Sequence, residues 1–125
     1  MRLKALFIAA LAVLVMTAAC TTQTFPTGDY EALQPSPTDR ITQFTLADDG
    51  TFVSAYYDGR VATGTYVVNG DKITLTELNP DSPCLNAPAT MIWSSGGDTL
   101  TLKFFEDQCR EGPSYDWARE WVLKP

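Results

Sequence analysis

The chain has 125 residues, 45% of them hydrophobic, and sets 9 Lys and Arg against 15 Asp and Glu for a formal charge of −6. That length closes one modest core and leaves little for a second domain. An acidic balance without a basic run argues against nucleic acid as a partner. With no histidine present, Ser-His-Asp and Cys-His catalysis and imidazole zinc sites are excluded.

Arg2 and Lys4 lead into an apolar run from Ala5 to Met16, the charged and hydrophobic regions of an export signal. The run falls short of the roughly 20 apolar residues that a membrane-spanning helix needs. It ends in Thr17-Ala18-Ala19-Cys20, which resembles the lipobox of bacterial lipoproteins, where a small residue precedes a cysteine that is acylated and becomes the mature N-terminus. Thr17 stands where that motif usually carries an aliphatic residue, and the same residues would also serve an ordinary secretory cleavage after Ala19. The resemblance implies a signal peptide at residues 1–19 and a lipid anchor on Cys20, with palmitate-type chains each contributing about 0.8 kcal/mol per buried methylene. Thr21 occupies the position of the aspartate retention signal. The expected location is therefore the cell envelope, on the outer membrane facing the periplasm if the host is Gram-negative. Without Arg2 and Lys4 the mature chain has seven basic and fifteen acidic residues, a formal charge of −8.

Assigning Cys20 to lipid leaves Cys84 and Cys109, an even pair in an exported chain, and these are expected to form a disulfide. Closing a loop of that size contributes about 3.5 kcal/mol on the chain-entropy model. No Cys-x-x-Cys spacing occurs, so the expected role is structural rather than redox.

Residues 20–39 are rich in proline and polar residues and read as a lipidated tether, although Gly28-Asp29-Tyr30 could begin a first strand. From residue 40 to 125 the chain is a succession of short β-rich segments. "RITQFTL", "TFVSAYY", "VATGTYVV" and "KITLTEL" are separated by "ADDG", "DGR" and "NGD", and Asp-Gly and Asn-Gly are strong hairpin signals. "ATMIWS" and "TLTLKFFE" flank "SGGD" as a further hairpin, and "WAREWVLK" holds a last strand after one short helical turn within Tyr115 to Trp121. Alternation sets Phe52, Ser54 and Tyr56 on one face, in phase with Ile73 and Leu75 and with Leu100, Leu102 and Phe104. A one-sided antiparallel sheet of seven or eight strands without a helix to cover it must curl up, and hairpin connections favour a small up-and-down β-barrel over a Greek key. The predicted fold class is all-β.

The stretch from Phe44 to Cys109 resembles small bacterial lipocalin-like domains. The residues that carry the likeness are "FTLADDGTF", "GTYVVNGDKITL" and "WSSGGDTLTLKFFEDQC". The lipocalin Gly-x-Trp start is present only as Gly28-Asp29-Tyr30. This resemblance implies binding of a small hydrophobic or amphipathic molecule inside the barrel, with Phe44, Phe52, Tyr56, Tyr66, Trp93, Leu102 and Phe104 as candidate ligand-binding residues. An eight-stranded barrel is wide enough either to hold one ligand or to be filled by side chains. In the second case the expected function is a protein-interaction or inhibitor module of the envelope, using the loops at Cys84 or Cys109. No enzyme is expected: Asp48-Asp49 lies in a turn that favours Asp for local hydrogen bonding, and adjacent carboxylates such as Glu106-Asp107 point to opposite faces of a strand. No metal or cofactor is called for by any motif.

Overall fold

The computed structural model describes residues 24–33, 40–109 and 114–125; the signal segment 1–19 and Cys20 lie outside them. Eight strands follow one another as β1 (Gly28–Ala32), β2 (Ile41–Leu46), β3 (Thr51–Tyr56), β4 (Val61–Asn69), β5 (Lys72–Glu77), β6 (Pro88–Gly96), β7 (Thr99–Asp107) and β8 (Glu120–Leu123), with a single helical turn α1 (Ser114–Trp117) before the last. Each strand pairs antiparallel with its sequence neighbours, and β1 closes onto β8, giving a closed barrel in simple order. Strand β1 falls inside the 20–39 stretch read as a tether, so the folded wall begins at Gly28.

Local chemistry sets the hairpins. The loops Gly70-Asp71 and Gly97-Asp98 each join strands through two residues, Asn69 pairing with Lys72 and Gly96 with Thr99. Gly70 and Gly97 have φ of 62° and 58°, the conformation that a two-residue hairpin with glycine first requires. Asn69, expected within the turn, is the last residue of β4 instead. The other two turns place Gly50 and Gly59 at φ of 85° and 88°. There the preceding aspartates fasten the start of the next strand: Asp49 accepts from the Thr51 backbone N–H at 3.0 Å, and Asp58 from that of Arg60 at 3.1 Å.

Strand alternation puts one row of side chains inside, and that interior is filled. Phe44, Phe52, Ile73, Leu75, Met91, Leu100 and Leu102 are all buried. Trp117, delivered by α1, lies parallel to Phe44 at 6.2 Å between ring centres and edge-on to Phe52 at 5.4 Å. Its indole N–H donates to the Ser54 hydroxyl at 2.9 Å, satisfying both polar groups in a dry core. Trp121 of β8 packs against Phe44 at 5.3 Å and donates to the Trp117 carbonyl at 3.0 Å. The Phe52 ring needs a neighbour without a side chain: a Cβ at Gly64 would lie 2.6 Å from it and 2.0 Å from the Thr76 carbonyl oxygen.

At the opposite end, Phe25 sits across the opening, 5.7 Å from Tyr66 and 5.1 Å from Trp93. Tyr66 donates to the Ala47 carbonyl, and Trp93 to that of Gly70 at 2.8 Å. Polar tips of buried aromatics thereby bond to the turns that surround them.

Cys84 and Cys109 are joined by a disulfide. It ties the β5–β6 loop to the end of β7.

Candidate functional site

At the end of the barrel that α1 covers, an open cleft of about 480 Å³ lies between the β3–β4 hairpin, the β5–β6 loop and α1. Six segments of the chain supply its lining. Arg40 precedes β2, Tyr56 ends β3, Arg60 precedes β4, and Val61 and Ala62 open β4. Glu77 ends β5, residues 79–84 form the facing loop, and Asp116 comes from α1.

The loop is held by its own side chains. Asn79 accepts from the Thr63 backbone N–H at 2.9 Å and donates to the Val61 carbonyl at 3.0 Å, clamping the loop along β4. Ser82 donates its hydroxyl to the Glu77 carboxylate and accepts from the Cys84 N–H at 3.1 Å. With the disulfide behind it, the loop is fixed before any ligand arrives, so little order is lost on binding.

Glu77 is the buried charge of the cleft, only 5% exposed. It follows Ile73 and Leu75 on the inward face of β5. Beside it Tyr56 is half-buried and covered by Arg60, whose guanidinium carbon lies 5.2 Å from the ring centre. Arg60 also pairs with Asp58 at 2.7 Å. Burial, followed by the charges of Glu77 and Asp116, pushes the Tyr56 phenol up to about 12, against smaller opposing effects from Arg60 and Arg40.

Comparison of the chain with protein-family models, curated proteins and solved structures finds no match. The site must therefore be read from its own chemistry.

Of the seven residues singled out as ligand-binding candidates, Phe44, Phe52, Tyr66, Trp93 and Leu102 are packed together in the core. Only Tyr56 reaches the cleft. Phe104, expected inside, is 45% exposed. Strand β8 pairs with β7 only along Thr99, Leu100 and Thr101, so the far half of β7 extends past its neighbour. A register shift opposite Thr90 and Met91, with Phe105 as the extra residue, then turns the strand. Sequence reasoning missed Glu77, Asn79, Ser82 and the two arginines. One signal was available, since Glu77 continues the inward phase of Ile73 and Leu75 at a strand end. Among the described residues, no group of three acidic or cysteine side chains is placed to hold a metal ion.

Proposed function

We propose that this protein is an exported, lipid-anchored, non-enzymatic binding module of the cell envelope. In this reading a lipocalin-like barrel is the scaffold, and recognition takes place in the cleft beside the Cys84–Cys109 loop. The single observation that carries it is the packing of the barrel. Trp117 packs on both Phe44 and Phe52, Trp121 packs on Phe44, and Phe25 lies against Tyr66 and Trp93 at the other end, while the braced cleft stays open to solvent. The same packing weighs against the alternative of a small apolar molecule held inside the barrel. The simple up-and-down order of the strands supports the lipocalin-like reading of the fold, and the lipobox-like Thr17-Ala18-Ala19-Cys20 supports the anchor.

Photo-crosslinking in intact cells tests this reading. A photoreactive residue placed at Asp81, on the cleft, is expected to form adducts that one placed at Asp49, in a turn at the opposite end, does not. Equal adducts from both positions, or adducts from Asp49 alone, would count against the cleft as the recognition site.

A further inference from the structure

Glu77 lines the cleft and, as a residue, is only 5% exposed. A carboxylate has about four acceptor directions, and the Ser82 hydroxyl takes one of them. The apolar part of the lining comes from Val61, Ala62, Pro80, Pro83 and Cys84, and it alternates with the polar residues Arg40, Arg60, Asn79, Asp81, Ser82 and Asp116. Arginines line the same cleft, yet Arg60 is already engaged by Asp58 and by the Tyr56 ring. After burial, Glu77 and Asp116 raise the Tyr56 phenol, and the opposing effects of Arg60 and Arg40 are smaller. The mature chain's charge of −8 extends the same sign over the molecule and raises the local concentration of cations.

We propose that the cleft binds an organic cation carried on an aliphatic stem, an alkylammonium or alkylguanidinium group. The charged head sits against the Glu77 carboxylate and the Tyr56 hydroxyl oxygen, and the stem lies along Val61, Ala62 and Pro83. A volume of about 480 Å³ is within the usual range for small-molecule sites. The same chemistry is presented by a free amine and by a lysine or arginine side chain of a partner protein. The inference rests on the reading of the cleft as the recognition site and adds the class of group recognised there.

The test is an NMR titration of the full chain in detergent micelles with n-butylammonium, N-acetyl-lysinamide and, as the neutral counterpart, n-butanol. Saturable shifts at the amides of Tyr56, Ala62 and Glu77 are expected with both cations and not with butanol. Tighter binding of butylammonium would point to a free amine as the natural ligand, and tighter binding of lysinamide to a side chain of a partner. In Glu77→Gln the affinity for either cation should fall about tenfold or more. Equal shifts with butanol, unchanged cation affinity in Glu77→Gln, or no saturable shift with either cation would overturn the proposal. The butanol comparison uses the unaltered chain, so it decides the matter even if the variant does not fold. Adducts at Asp81 without cation binding would leave the cleft as the recognition site and remove only the cation.

Discussion

Tyr56 and Glu77 lie at the boundary between barrel interior and cleft, and the carboxylate of Glu77 acts on the Tyr56 phenol. Because the Tyr56 phenol is raised from 10.0 to about 12, its neutral form is favoured by folding. The sign follows from linkage: this contribution is fully present below pH 10 and is lost as pH rises through about 12. A phenolate absorbance titration should therefore contain a late step that Tyr56→Phe removes. Glu77→Gln should move that step to lower pH without bringing it back to 10.0, since burial is the larger cause and remains. A late step unmoved by Glu77→Gln would mean that the two groups do not share a field.

At the scale of single elements, the turns fasten the barrel wall through charge as well as backbone shape. Bonds from the Thr51 hydroxyl at 2.6 Å and its backbone N–H at 3.0 Å hold the Asp49 carboxyl below its usual range. A lowered carboxyl stabilises the fold above its unfolded value of 3.8, and the effect disappears as pH falls through the folded value. Thermal unfolding followed into acid should show Asp49→Asn to be the less stable chain near neutrality, with the difference from the parent narrowing below that range. A gap that stays constant would assign the effect to turn shape alone.

These elements were also the most legible part of the sequence. Asp-Gly and Asn-Gly dipeptides between β-branched runs mark hairpins because few other residues accept the backbone that such turns impose, and the paired cysteines followed once Cys20 was assigned to lipid. Phe104 was misread because alternation describes a strand with neighbours on both sides, and β8 stops alongside Thr101. Of the cleft, only Tyr56 and the Cys84 loop were legible. Its lining comes from six separated segments, and only closure of the barrel brings Arg40, Glu77 and Asp116 to one place. Whether the aromatic residues formed a core or a pocket likewise depended on where Trp117 would go, and no periodicity states that.

For the whole molecule, Trp117 is the side chain that fills the interior from the end on which the cleft lies, packed on Phe44 and Phe52. Trp117→Ala should cost about 3–5 kcal/mol in denaturant unfolding, combining lost apolar contact with a residual cavity. Ser54 is left without its indole partner as well. Apolar cavities created by truncation stay dry and accept small aromatic molecules. Indole is accordingly expected to raise the melting temperature of the variant and not that of the parent. A parent chain stabilised by indole would reveal space inside the barrel that the packing of Phe44, Phe52 and Trp117 does not show.

The order in which this core is assembled has a consequence for the export proposed above. Trp117 and Trp121 stand late in the chain, and β8 must reach back to β1, pairing Ala32 with Trp121. Until that distant contact forms, the inward row from β2 to β7 has nothing to close against, and long-range pairing of this kind is slow. Under the export proposed above, a chain threading through a membrane from its N-terminus would have no finished barrel to obstruct its own passage. The plug is also the latch, and it stands at the end of the chain that would cross last.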